Sequence, residues 1–381
     1  MSKLIKNQKI GFLAVLIILL GLCGPLFADE IDLPKNMVWS CYDVGSSGYV
    51  QASAVANAFL KKYDIRVRLM PSGTSIGRLM PLAKNRSDVA FLGNEAFFSS
   101  TGEYDFSTYQ WGPQDIRAVL GVPTSYIMIV TKESGLKEIK DLKGKRVSWV
   151  VGNPSVNVKC TAILAYGNLT WNDVEKIDFP SYSDSLKALI LGSTDATGGS
   201  PTASIYYELE SSKKGIYHLQ MPPENVEGWK RVQEIAPFVF PFQETVGAGI
   251  SKEKPVWGLG YKYPVVTVRT DADPKFVKNL IKAFEETYPL YKDAASSLPA
   301  WDLRLSSDIP IDIPYHEGAI QYLKEKGYWD DNKQKWNDER IEYLNKVKEL
   351  WKKSVAEAKA KKIDEKEFSK QWGKTIELLK N

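Results

Sequence analysis

The sequence predicts an α/β fold in two lobes, and two observations lead there. Short apolar strands alternate with polar, glycine-bearing turns and amphipathic helices, and this grammar runs through the chain twice. The chain has 381 residues, which is more than one hydrophobic core usually organises.

In the first unit, residues 37–42 read as a strand and residues 51–63 as a helix with Val55, Ala56, Phe59 and Leu60 on its apolar stripe. Residues 65–69 alternate as a second strand. The turn at 71–74 leads into a helix over 75–84, and 89–92 is a short buried strand. Residues 116–122 and 126–130 read as two further strands.

The second unit places a short helix within 134–142, a strand at 146–151 and a helix at 155–166. Residues 177–179 and 194–197 read as strands, and 182–191 and 202–210 as helices. Residues 238–250 look like a loop, 265–269 return to strand, and 274–288 form a helix with proline at its start. The tail differs in character. Ile341, Leu344, Val347, Trp351 and Val355 lie on one helical face, as do Phe368, Trp372, Ile376 and Leu379. Such stripes ordinarily cover a core, so these helices are expected to pack on the body, with recruitment of a partner as the alternative.

The first residues have the layout of a secretory signal. Lys3, Lys6 and Lys9 precede an apolar run over 10–22, and cleavage after Ala28 is expected. Lipidation at Cys23 and an uncleaved anchor are the competing readings. Without the signal the net charge falls from +4 to +1, which gives no broad electrostatic claim on nucleic acid or lipid.

Of three cysteines, Cys41 and Cys160 remain after such cleavage, far apart and outside any metal spacing. A disulfide between them is compatible with an oxidising compartment but not required. The two histidines, His218 and His316, are distant in sequence, and no HExxH motif occurs. No cofactor or metal is expected.

The polar turns carry the functional argument. Gly45-Ser46-Ser47-Gly48 runs from a strand into a helix, and Tyr42 and Tyr49 flank it. The first N–H groups of a helix lack intrahelical partners and favour a negative group. A simple N-cap is the competing reading. The same arrangement recurs at residues 71–75, 93–95, 152–157 and 197–201. In an open α/β sheet the carboxyl ends of the strands line the crevice where ligands bind. Five such starts on two lobes could therefore converge on one small molecule. There is no GxxxxGK[ST] and no GxGxxG in these turns, so no nucleotide site is indicated. Asp43, Glu95 and Glu244 are candidate acids or bases, but capture of a ligand fits a secreted two-lobed chain better than chemistry does. Arg78 could pair with an anion or stand at the surface. Trp149 could meet an apolar part of a ligand or belong to the sheet core.

Four stretches resemble the TAXI-type extracytoplasmic solute receptors of tripartite ATP-independent periplasmic (TRAP) transporters. They are VGSSGYVQASAVANAF, PSGTSIGRLMPLAKNRSDVAFLGNEAFF, SGLKEIKDLKGKRVSWVVGNPSVNVKCTAIL and the closing PYHEGAIQYLKEKGYW. The resemblance spans residues 37–329. The opening turn and residues 241–260, with KEKPVWGLG, depart from the family's usual pattern.

The resemblance implies a type II periplasmic binding protein, a clamshell with an added helical C-terminal tail. The expected division is 1–28 signal, 37–125 first part of lobe 1, 126–240 lobe 2, 241–330 return to lobe 1 and hinge, and 331–381 tail. It also implies a monomeric periplasmic receptor, not an enzyme. Such a receptor captures a small organic anion, a carboxylate, dicarboxylate or amino acid, and delivers it to TRAP permease membrane subunits. A sensor or enzyme on the same fold is the alternative. By position on the turns, the expected ligand-binding residues are Gly45, Ser46, Ser47, Tyr49, Thr74, Ser75, Asn94, Tyr126, Asn153, Ser155, Asn157, Gly199 and Ser200.

Overall fold

The described residues form a ten-stranded sheet, eight strands along one path and two more paired to its central strands. The computed structural model describes residues 31–380. The expected signal, Cys23 and the three lysines before it lie outside the described residues. No helix of the described residues is long and apolar enough to cross a membrane.

In the first lobe, β1 (Asn36–Cys41) pairs in parallel with β2 (Arg66–Pro71) and β3 (Val89–Leu92). Helices α1 (Ser47–Tyr63), α2 (Ser75–Ala83) and α3 (Glu95–Thr101) follow these strands in turn. All four residues of β3 are buried, as expected of a strand covered on both faces. Trp39 anchors this core, its ring 5.3 Å from both Phe59 and Phe91.

In the second lobe, β5 (Arg146–Val150) pairs in parallel with β6 (Glu175–Phe179) and β7 (Ala196–Gly199). Helices α4 (Pro154–Tyr166), α5 (Tyr182–Leu191) and α6 (Ser204–Ser211) follow them. Strand β8 (Ile216–Leu219) and helix α7 (Val226–Ile235) come next. Because β1, β2 and β3 run parallel, and likewise β5, β6 and β7, the carboxyl ends of each set open on the same edge.

Two long strands join the lobes. β4 (Ile116–Thr131) is continuous, where the sequence suggested two strands. Its first part pairs with β10 (Val256–Arg269), and Ile127–Val130 pairs with β7 in the other lobe. Pro123 and Thr124 look like a break in sequence, yet β10 carries the strand through them. β10 likewise begins earlier than the residue pattern suggested. Its start pairs with β9 (Phe240–Glu244), a strand inside the stretch read as loop. The alternation is hard to see there because glycines at 258 and 260 dilute it.

Helix α8 (Pro274–Tyr291) covers the first lobe's core through Phe284. The short α9 (Leu303–Ser306) and α10 (Glu317–Glu325) follow. The tail consists of α11 (Asp331–Ala360) and α12 (Glu365–Lys380), which pack on each other and on the first lobe. Trp351 meets Trp372 at 4.8 Å and Phe368 at 5.1 Å. Trp372 Nε1 donates to Thr101 O, and Tyr109 stacks on Phe368. Gly112, at φ +70, lies against the Trp351 indole, where a Cβ would fall 2.5 Å from Nε1. The tail thus completes a core, as its amphipathic stripes suggested.

Candidate functional site

The strand-end turns do converge, but most of their polar groups are occupied by the protein itself. Ser46 caps α1 by accepting from Tyr49 N, and Thr74 caps α2 by accepting from Gly77 N. Asn153 caps α4 through Val156 N. Ser181, which the residue pattern did not single out, caps α5 through Asp184 N. These are the simple N-caps that competed with ligand contact in the sequence. Asn94 makes no such bond at the start of α3, so its amide is free to face inward.

The lobes are drawn together along a seam of hydrogen bonds. Ser47 Oγ lies 2.7 Å from Thr202 Oγ1. Ser75 Oγ donates to Asn153 Oδ1 at 2.9 Å, and Asn153 Nδ2 donates to Gly73 O. Ser183 N donates to Asp43 Oδ2, and Ser204 Oγ to Gly45 O. Asn94 N donates to Ser155 Oγ at 3.0 Å.

Enclosed by this seam is a narrow cavity lined by Tyr42, Ser47, Tyr126, Ser155, Val156, Lys159, Tyr182, Ser200, Tyr261 and Tyr263. The space left has room for about one water molecule. The five tyrosine rings pack edge-on and in stacks, Tyr42 on Tyr182 at 5.3 Å and on Tyr263 at 5.4 Å. Burial raises their phenol pKa values, so they stay neutral hydroxyl groups at any physiological pH. Two glycines admit them. A Cβ on Gly48 would collide with Tyr263 Oη, and one on Gly199 would fall 2.8 Å from Tyr182 Oη.

Four charged side chains surround the cavity. Arg78 is fully buried and pairs with buried Glu95 at 2.7 Å, while its guanidinium lies 3.2 Å from the Tyr42 ring centroid. Lys159, on α4, donates to Asn94 Oδ1 at 2.6 Å and Ser155 Oγ at 3.2 Å. Burial depresses its pKa from the ordinary lysine range to about 7, against the pull of Glu95 and Asp312. Asp312 accepts from Asn94 Nδ2 at 3.0 Å, and burial raises its carboxyl to about 7. Asn94 therefore stands between an ammonium and a carboxyl, accepting from one and donating to the other.

The NMT1-like family's sequence profile matches residues 44–327. The chain belongs to the NMT1-like family. Comparison with curated protein sequences gives no match. Among solved structures, it is similar to the alkanesulfonate-binding protein SsuA from Xanthomonas axonopodis pv. citri bound to MOPS. The identity is 17% over 77% of this chain and 92% of that chain, with a TM-score of 0.44. It is also similar to the periplasmic aliphatic sulphonate binding protein SsuA from Escherichia coli, at 15% identity over 71% of this chain and 78% of that chain, TM-score 0.41. An amino acid ABC transporter substrate-binding protein from Streptococcus pneumoniae, bound to L-arginine, shares 12% identity over 70% of this chain and 94% of that chain, TM-score 0.40.

In this NMT1-like chain, four of the expected ligand-binding residues line the cavity, Ser47, Tyr126, Ser155 and Ser200, together with Tyr42 from the opening turn. Ser75, Asn94 and Asn153 stand just behind, in the seam. Ser46 and Thr74 are caps. Asn157 turns back on the end of β5, its amide bonding Val150 N and Val150 O. Gly45, at φ +95, packs on Ile205, and Gly199 makes room for Tyr206. Tyr49 is half-buried and does not line the cavity.

Other expectations need correction. Arg78 is not a surface residue: it is fully buried against Glu95 and does not itself line the cavity. Trp149 lies against Trp171 and Lys176, away from the cavity. Glu244 accepts from Ser125 Oγ, Thr245 N and Val246 N, a structural role. Cys41 and Cys160 are free and buried, so the compatible disulfide is not formed. Gly73, Ser75 and Gly77 have the spacing of a hydrolase nucleophile elbow. Ser75 Oγ bonds Asn153 and Arg78, however, and neither histidine is among its partners. Among the described residues, no group of three or more His, Cys, Asp or Glu could hold a metal ion.

The residue pattern missed Lys159, Tyr182, Tyr261, Tyr263 and Asp312. Lys159 left one trace, a lone charge inside an otherwise apolar helix at VNVKCTAIL. The tyrosines arrive from β10 and α5, which contribute to the site only through the crossing of the lobes.

Proposed function

We propose that the chain is an extracytoplasmic solute receptor that encloses a small organic anion between its lobes and passes it to the membrane subunits of a TRAP-type permease. The observation that carries this reading is the closed interlobe cavity. Strand-end turns from both lobes seal it, and both long strands β4 and β10 cross between the lobes as a hinge. A closing cleft excludes water and strengthens each polar contact inside. The polar groups around the cavity select by hydrogen bonding. The motifs shared with TAXI receptors support a TRAP permease as the destination, and a periplasmic monomer as the working form.

Native mass spectrometry of the gently purified protein, followed by denaturation, tests the reading. A stoichiometric small acid released on denaturation is the expected result. A protein that carries nothing, and whose melting point no organic acid raises, would contradict it.

A further inference from the structure

We propose that Lys159 holds the solute's negative charge and that the site accordingly takes a small monocarboxylate. The inference rests on the receptor reading above and deepens it.

A buried cation without a carboxylate partner stands at the cavity. Lys159 is 2% exposed, lines the cavity and has no carboxylate within ion-pair distance among the described residues. Its two hydrogen-bond acceptors, Asn94 Oδ1 and Ser155 Oγ, are neutral. A third N–H remains for a ligand. The Tyr126 and Tyr261 rings face the ammonium at 5.0 and 4.4 Å, which favours the charged form without neutralising it. A buried ammonium in this position either gives up its proton or takes an anion.

The surrounding charges set how many negative charges the site accepts. From α2 and α3, Arg78 and Glu95 face the cavity wall already paired with each other. Asp312, beyond α9, is held on Asn94. The turn after β1 presents Tyr42, β4 and β10 present Tyr126, Tyr261 and Tyr263, α5 and α6 present Tyr182 and Tyr206, and α4 itself adds the Cys160 thiol; burial keeps all of these neutral. One carboxylate can be matched by Lys159. A second would lie among phenols and acids. An amino acid's ammonium would need a carboxylate on the cavity wall, and neither Glu95 nor Asp312 lines it.

Binding then carries a proton. Burial sets the titration of Lys159 near pH 7, and a bound carboxylate moves it upward. Below about pH 7 affinity is flat, because the lysine is already charged. Above it, uptake of the proton makes affinity fall by up to about tenfold per pH unit. Ionisation of Asp312 over the same range works in the same direction, and Asp312→Asn isolates the lysine's share.

Calorimetry on the full mature chain with propionate, pyruvate, succinate and L-alanine tests this at pH 6.5, 7.5 and 8.5, in two buffers of different ionisation enthalpy. Propionate or pyruvate is expected to bind best, with proton uptake at pH 8.5 in both wild type and D312N. Lys159→Met, checked for folding by circular dichroism, is expected to lose about 100-fold in affinity and the pH slope. Proton uptake by the wild type needs no variant and stands if K159M fails to fold. Undiminished binding by K159M, or no proton uptake, would overturn the role of Lys159 and leave the receptor reading intact. Preference for succinate or L-alanine would overturn the single-charge class. No binding of any of the four would overturn the carboxylate receptor reading and this inference with it.

Discussion

Arg78 and Glu95 form an ion pair of 2.7 Å in which neither side chain is exposed. The pair ties the start of α2 to the start of α3 and supports Tyr42 from behind. Breaking one partner leaves a buried charge uncompensated, which is far worse than losing the pair's own modest net gain. Glu95→Gln is therefore expected to cost about 3–5 kcal/mol. Adding Arg78→Met should recover part of it. Denaturant unfolding measures both, and a cost well under 1 kcal/mol for E95Q would show that the guanidinium finds water.

Asp312 and the pH dependence of stability form a second case. Its folded-state carboxyl is raised from 3.8 to about 7, so between those values the folded protein binds the extra proton. Stability contributed by that proton is present below pH 4 and is lost as pH rises toward 7. Asp312→Asn removes the decline. The stability difference D312N minus wild type should grow by roughly 2–4 kcal/mol between pH 4 and pH 8. A constant difference across that range would place Asp312 in contact with water.

Ser155 occupies the cavity wall, accepting from Asn94 N and Lys159 Nζ. Ser155→Leu fills the remaining space and removes an acceptor, at a cost of about 1–3 kcal/mol. Affinity for the bound acid should fall at least tenfold while the fold persists. Unchanged affinity, read by a thermal-shift titration, would remove this cavity as the binding site.

The tail is argued from Trp372, buried between Trp351 and the first lobe with its indole N–H on Thr101 O. Trp372→Ala should cost about 3–5 kcal/mol, as for other buried aromatic truncations. A small effect on the melting transition would mean that α12 packs only loosely.

How much of this was legible beforehand depended on how local the signal was. The parallel strands and their helices were readable because apolar periodicity and capping residues act within a few positions, as at Ser46, Thr74 and Asn153. Strand β10 was half hidden because Gly258 and Gly260 lack side chains to report alternation. The convergence of the turns followed from sheet topology, but their roles did not. A serine at a helix start looks the same whether it caps, bridges lobes or faces a ligand. Lys159 and Tyr261 come together only through tertiary packing across the two crossing strands, which no local pattern records.

In the proposed receptor a solute enters and leaves by separation of the lobes. Ser47 Oγ and Thr202 Oγ1, 2.7 Å apart across the seam, allow it to be tested directly. Paired cysteines there, Ser47→Cys with Thr202→Cys, stand within disulfide reach. Binding of the acid identified by mass spectrometry is measured with the bridge oxidised and then reduced. No uptake in the oxidised protein, with recovery on reduction, is the predicted result. Equal binding rates in both states would contradict the account, because the solute would then reach its site without the lobes opening.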